Sequence, residues 1–360
     1  MKKLLALLLC LAMVFCFAAC GSDEAAEPAG DEATGYEIAM VTDVGQLQDG
    51  SFNQYTFEGV KQYAEENGLT YQYYQPANGS EATDQDRIDA MNAAIAGGAK
   101  VIVTPGYLQA TALTEVAGAN PDVQFIFIDG WDLGLPNLVG VSYQEEQTGF
   151  LGGYAAVMEG FEKLGYSGGG GGENPACLRY GFGFLQGANA AAAELGKTVE
   201  MNYSFLHGAT FSASDDLKTM LSGWYNNGTE VIFVAGGTMF DSGVAAASEN
   251  NGKIIGVDVD QSVGYEDIVI TSCMKGLTQS VKTAIAKFYE GGAAYGGSLV
   301  LGAADNGVGL PTDTWSLQNW TVEQYDALYA AIQNGEVEIS ADAVADPTGL
   351  YDNVTVNYIG

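Results

Sequence analysis

The sequence predicts an α/β protein of two lobes, each an open, largely parallel β-sheet with helices on both faces. Three observations lead there. Short β-rich runs alternate with amphipathic helical stretches from Tyr36 onward, the pattern of a parallel sheet wound by crossover helices. The run KVIVTPG (100–106) is almost wholly apolar, as a parallel strand covered on both faces should be. The alternation starts afresh after about residue 143, and 360 residues exceed one average domain.

YEIAMVTD (36–43) reads as a strand running into a loop. Ser51 is a candidate N-cap for a helix over 51–68 that stops at Gly68. Along it Tyr55, Gly59 and Tyr63, and Phe57, Val60 and Ala64, recur at helical spacing. LTYQYYQ (69–75) is a strand, 84–98 a helix with Ile88, Met91, Ala94 and Ile95 inward, 108–120 a helix and VQFIFIDG (123–130) a strand. NLVGVSY (137–143) leads into the second series, which opens with a helix over 147–161 whose glycines suit close packing. SGGGGGEN (167–174) reads as a mobile loop, because five consecutive glycines lose much entropy on ordering. Helices follow at 178–196, 214–228, 241–252 and 275–292, with strands at 199–208, 229–237, 253–260 and 267–275. The expected N-terminal lobe is 36–142, completed by about 268–300, and the expected C-terminal lobe is 143–267. Residues 301–360 supply late strands and one helix (321–335) that pack on the lobes.

The formal charge of −32 arises from 45 acidic against 13 basic residues, although only 16% of the chain is charged. Scarcity of Lys and Arg argues against a nucleic-acid groove and against adsorption to anionic lipid. Lys2 and Lys3, an apolar run and the small residues Ala18 and Ala19 form a leader over 1–19. FAAC resembles a bacterial lipobox, with Phe17 where Leu is usual, and by that resemblance Cys20 becomes diacylated. Residues 20–35, rich in Gly, Ala, Asp and Glu, read as a flexible tether. Free secretion and a retained span are the alternatives, the run being short for a bilayer. Cys177 and Cys273 remain in the folded part; one disulfide is arithmetically available, and two apolar thiols are the simpler reading. With His207 the only histidine, a Cys/His metal cluster lacks raw material. Neither metal nor cofactor is expected.

In an open parallel sheet the ligand crevice lies beyond the carboxyl ends of the strands. Those ends carry Thr42, Asp43 and Gly45; Thr104, Pro105 and Gly106; and Asp129, Gly130 and Trp131. The second series offers Gly236, Gly237, Thr238 and Met239, then Asp258, Asp260 and Gln261, then Ser272 and Lys275. Ser51, Phe52 and Asn53 stand at a helix start, where free N–H groups and polar side chains make an oriented rim. Phe52 packs either on core or on a ligand. Lys275, a rare cation beside an apolar strand, pairs with Asp258 or meets a ligand hydroxyl. The glycine run lacks the Lys-Ser/Thr of a phosphate loop, and YGFGFLQG has the wrong spacing for a dinucleotide turn. No nucleophile-elbow or HExxH motif occurs. A neutral, hydroxyl-bearing ligand fits better, since carboxylates accept from sugar hydroxyls and ring N–H groups while aromatics cover a flat face.

The segment 41–68 resembles the opening of the basic membrane protein family, the bacterial substrate-binding lipoproteins of the purine-nucleoside receptor group. The matching residues are Asp43, Gly45, Asp49, Ser51, Phe52, Asn53, Glu58 and Gly59, followed by PDVQFIFIDG, TGFLGGYAA, RYGFGFLQGA, VIFVAGG, IIGVDVDQ and ITSCMKG. The resemblance implies a periplasmic-binding-protein type I fold, two lobes joined by a hinge. It also implies nucleoside delivery to the permease and ATPase of an ABC importer, with the membrane reached through Cys20. Carried over, Phe52 stacks on the base, Asn53 and Asp129 bond its edge, and Asp258 with Lys275 holds the ribose. Gly236 and Gly237 admit the sugar to the backbone, and Phe211 is the second aromatic, with Phe205 behind it. The chain departs from the family pattern in its long glycine run and in Met239 and Phe240 after Thr238. A receptor for a sugar or signalling molecule, a sensory receptor that reports its ligand to a membrane partner without import, and a surface hydrolase of nucleosides or sugars are the alternatives.

Overall fold

The structure is a computed structural model and describes residues 35–44, 46–291 and 296–360. The leader, Cys20, nearly all of the 20–35 tether and Gly45 lie outside the described residues. The first lobe runs β1 (Ile38–Val41), α1 (Phe52–Asn67), β2 (Tyr71–Tyr74), α2 (Asp84–Ala96), β3 (Val101–Pro105), α3 (Ala110–Ala119), β4 (Gln124–Ile128) and β5 (Leu138–Tyr143). The second runs α4 (Glu145–Glu159), β6 (Lys163–Gly168), α5 (Pro175–Leu195), β7 (Val199–Ser204), α6 (Asp215–Asn226), β8 (Val231–Ala235), α7 (Met239–Asn250), β9 (Lys253–Asp258) and β10 (Val269–Lys275). The chain then returns through α8 (Leu277–Gly291) and β11 (Gly297–Leu301), and crosses again to β12 (Val308–Gly309), α9 (Val322–Gln333) and β13 (Val354–Ile359).

Among the described residues the first sheet has the order β11-β5-β4-β3-β1-β2 and the second β12-β10-β9-β8-β6-β7-β13. Every strand pairing is parallel except that of β10 with β12. Each lobe thus repeats one winding, with its chain reversal between the first and third strands, and that is where a crevice opens.

Alternation along the buried strands divides each sheet between two helical layers. In the first lobe Ile38, Met40, Val103 and Ile126 join Val60 and Ala64 of α1 and Val281 and Ile285 of α8. Ala39, Val41, Ile102 and Phe125 meet Ile88 and Met91 of α2 and Leu113 and Val116 of α3 on the other face. In the second lobe Ile232, Val234 and Ile254 pack on Leu221 and Trp224 of α6 and Ala246 of α7. Opposite them, α4 and α5 cross at very close range. An added Cβ at Gly153 would fall 2.0 Å from the Phe184 carbonyl oxygen, and one at Gly187 1.8 Å from that of Phe150.

Two expectations fail here. The glycine run is no mobile loop: Lys163–Gly168 is a parallel strand between β7 and β8, and Gly168, Gly169 and Gly170 are buried. Its signal is weak because a side chain at Gly165 would meet the Trp224 ring and Ile232, so bulk comes from neighbours. Val269–Lys275, expected to complete the first lobe, is instead a strand of the second sheet, paired with β9. Only α8 and β11 go back, α8 packing against α1 and β11 pairing with β5. Among the described residues no helix is long and apolar enough to cross a membrane.

Gly153→Ala is expected to destabilise the fold by about 2 kcal/mol in urea titration, despite alanine's better helix propensity, because the two helix backbones must separate.

Candidate functional site

The strand ends of both lobes converge on one cavity of about 370 Å³. Asp43 follows β1, Gly106 and Tyr107 follow β3, and Asp129 follows β4; from the other lobe come Gly236 and Gly237 after β8, Asp258 at the end of β9 and Lys275 at the end of β10. Asp129, Asp258 and Phe211 are non-glycine residues in the left-handed region, with φ of 56°, 66° and 56°. Such backbone is held only where surrounding contacts impose it.

Lys275 forms the floor. Its Nζ lies 2.8 and 2.7 Å from the two Asp129 oxygens, 3.2 Å from Glu145 Oε1 and 3.8 Å from Asp258 Oδ1. The rings of Phe52, Tyr143 and Tyr180 surround it, with centroids 5.2, 5.3 and 5.3 Å away. Burial alone would lower the ammonium pKa, but Asp129, Glu145 and Asp258 outweigh it and hold the pKa above the ordinary lysine value. Burial raises Asp129 to about 6, opposed by Lys275. Burial also raises Asp258, again opposed by Lys275 and by the hydroxyls of Ser51 and Tyr180. Four of these contacts join the lobes: Lys275 with Asp129 and with the rings of Phe52 and Tyr143, and Ser51 Oγ donating to Asp258 Oδ2 at 2.8 Å.

Asp43 is a carboxyl of a different kind. Its Oδ1 accepts from the Val44 N–H at 2.6 Å. Gly106, with φ of 98°, lies so close that an added Cβ would sit 1.8 Å from Oδ2. Burial lifts its pKa to about 7 against the opposing Val44 N–H and Arg87, so near neutrality a large fraction carries the proton and can donate.

Twelve residues singled out in the sequence line this cavity: Asp43, Asp49, Phe52, Asn53, Gly106, Asp129, Phe211, Gly236, Gly237, Thr238, Asp258 and Lys275. Phe52 and Phe211, one from each lobe, are partly buried and pack on the core as well as facing the cavity. Asn53 Oδ1 is buried without a hydrogen-bond partner among the described residues.

The remaining expected positions lie elsewhere. Ser51 is behind the wall and holds Asp258; it makes no side-chain cap. Asp49 does that work, its carboxylate accepting from the N–H groups of Ser51, Asn53 and Gln54 at 2.9, 2.9 and 3.1 Å. The N–H groups expected to form a free rim are therefore occupied. Met239 does not reach the cavity: it is fully buried, with its sulfur 2.8 Å from where a Gly236 Cβ would be. Trp131 turns outward to pack on Phe127 at 5.3 Å. Gln261 accepts from the Val257 N–H and Ser272 accepts from the Gln261 N–H, which makes both structural. Asp260 accepts from Thr314 Oγ1 at 2.6 Å. Phe205 lies against Tyr166 and Tyr203 in the core.

Residues not foreseen also enter: Tyr107, Asn174, Cys177 and Tyr180 line the cavity, and Glu145 and Arg179 stand behind Lys275. Asn174 accepts from the Cys177 N–H and precedes Pro175, a helix-start signature that would have brought the first turn of α5 into the row of strand ends. The glycine run then has a local reason. An added Cβ at Gly169 would meet the Phe211 ring at 2.4 Å and one at Gly170 at 3.1 Å, so the ring lies directly on bare backbone. Cys177 and Cys273 are free, buried thiols, and burial pushes Cys177 up to about 12. Among the described residues no His, Cys, Asp and Glu group is arranged to hold a metal.

A ligand cavity at the chain reversals of two like lobes, linked by three crossings, defines a two-lobed binding protein of the periplasmic-binding-protein type I class. A family model described as ABC transporter substrate-binding protein PnrA-like (Bmp) matches residues 36–343, and the chain belongs to that family. It is 27% identical to the ABC transporter nucleoside-binding protein BmpA of Lactococcus lactis subsp. cremoris, over 89% of this chain and 93% of that one. It is 26% identical to basic membrane protein A of Borreliella burgdorferi, over 87% and 91%. An ABC transporter solute-binding protein from Aeropyrum pernix superposes with a TM-score of 0.69 at 22% identity, covering 85% of this chain and 93% of that one.

A carboxyl whose folded pKa is raised stabilises the fold fully below its unfolded pKa, 3.8, and loses that contribution as pH rises to about 7. Asp43→Asn is therefore expected to gain stability relative to wild type between pH 4 and pH 8, by on the order of 4 kcal/mol. Urea titrations at both pH values check this, and a constant difference would contradict it.

Proposed function

We propose that this substrate-binding protein captures a nucleoside, a purine nucleoside above all, between its lobes and delivers it to the permease of an ABC importer. The observation that carries the reading is the pairing of Phe52 and Phe211, from opposite lobes, over a floor of Lys275, Asp129 and Asp258 in one cavity. A flat base takes the aromatic faces. Hydroxyls of a sugar meet the carboxylate and ammonium cluster, and Gly236 and Gly237 leave room for it. Asp43 and the unpartnered Asn53 Oδ1 supply a donor and an acceptor for the edge of the base. Five lining aspartates, Asp43, Asp49, Asp129, Asp241 and Asp258, against the single lining cation Lys275 disfavour phosphorylated forms. The Lactococcus relative's description as nucleoside-binding points the same way.

The action is binding rather than bond-making. Affinity for the closed arrangement shifts the hinge equilibrium, and closure presents both lobes to the permease. Diacylated Cys20 and the acidic tether keep the receptor at the outer face of the membrane.

Phe52→Ala is expected to weaken inosine binding by more than about 1 kcal/mol in calorimetry, as loss of a desolvated aromatic anchor does. Unchanged affinity removes the stacking role. Release of free base from inosine by the purified protein would mark a hydrolase instead. In cells, Cys20→Ser is expected to move the protein from the membrane fraction to the medium and to lower uptake of labelled inosine. Retention in the membrane contradicts the lipid anchor, and normal uptake without the protein contradicts import.

A further inference from the structure

We propose that Glu145, oriented by Arg179, positions the Lys275 ammonium at the cleft floor and keeps it there when the lobes part. Glu145 opens α4, two residues after the chain leaves β5 and crosses to the second lobe. Its side chain is fully buried. Arg179, on α5, contacts Glu145 Oε2 through both Nε and Nη2 at 2.6 Å. The guanidinium fork thus converges on that one oxygen and anchors it. The other oxygen, Oε1, is left facing Lys275 Nζ at 3.2 Å.

The lobe membership of the partners gives this contact its meaning. Asp129 belongs to the first lobe, whereas Lys275, Asp258, Glu145 and Arg179 belong to the second. Opening the cleft separates Lys275 from Asp129, its nearest partner, and also from the Phe52 ring. A buried ammonium stripped of its counter-charge is strongly destabilised. Asp258 stands 3.8 Å away and is shared with Ser51 and Tyr180. Glu145 is the second-lobe carboxylate nearest to Lys275. It travels with the lysine, so the ammonium stays charged and aimed into the cleft through the whole hinge motion. Closure then consists of bringing Asp129, and the ligand, to a cation already in place. This is preorganisation of the polar floor.

The test has one arm that rests on the nucleoside reading and one that does not. In calorimetry, Glu145→Gln is expected to lower affinity for inosine about tenfold while 2′,3′-dideoxyinosine, which lacks the hydroxyls that reach the floor, changes by less than about twofold. In ligand-free protein labelled at lysine ¹³Cε, the Lys275 resonance, assigned from a Lys275→Met spectrum, is expected to move in Glu145→Gln and to titrate at lower pH than in wild type. Equal weakening of both nucleosides with an unmoved resonance, or no change in either readout, overturns the proposal. If wild type binds neither nucleoside, the nucleoside reading fails by itself. The resonance then decides alone, displacement supporting the positioning role and constancy refuting it. Should Glu145→Gln not fold, Arg179→Lys replaces it under the same criteria, since it keeps the charge and removes the fork.

Discussion

One buried ammonium organises this molecule. Lys275 is surrounded by carboxylates from two lobes and by three aromatic rings, and it sits where the chain crosses from the second sheet back to the first. An ion so placed tolerates few arrangements, because any that leaves it unpaired is far less stable. Two of its partners, Asp129 and Asp258, both have left-handed backbone. Both residues end apolar strands, and turning back at that point aims their carboxylates at the same nitrogen. The contact between the lobes and the floor of the cavity are therefore one structure.

The fold was largely legible in the sequence because its strands are buried on both faces and advertise it. Runs such as VIVTP, QFIFI and VIFVA have one structural meaning in a chain this long. β6 was not legible, since Gly165, Ser167 and Gly168 carry little side chain of their own and rely on Trp224 and Phe205 to fill the space. The strand at 269–275 was visible, but its sheet was not. Its pairing with β9 depends on where the crossing falls, and no local pattern records that.

The site divides in the same way. Residue types at strand ends indicated eight lining positions (Asp43, Gly106, Asp129, Gly236, Gly237, Thr238, Asp258 and Lys275), because direction along a parallel strand fixes which end opens to solvent. Rotation about the chain was hidden. Met239 and Ser51 each stand next to a lining residue and face away from it, one into the core and one across to Asp258. Glu145 and Arg179 were invisible for a further reason. The sequence holds 45 acidic residues, and nothing local sets apart the one at a lobe crossing.

The two lobes share one winding, and Asp129 and Asp258 close corresponding strands, the fourth of each series. The fifth strands end differently, in Tyr143 on one side and Lys275 on the other. A frame with near twofold symmetry thus encloses a centre that has none. At the first crossing the Tyr143 phenol is bonded to Ser280 and lies outside the cavity lining, while at the second the Lys275 ammonium faces the cavity, so the one cation of the floor comes from one half of the frame alone.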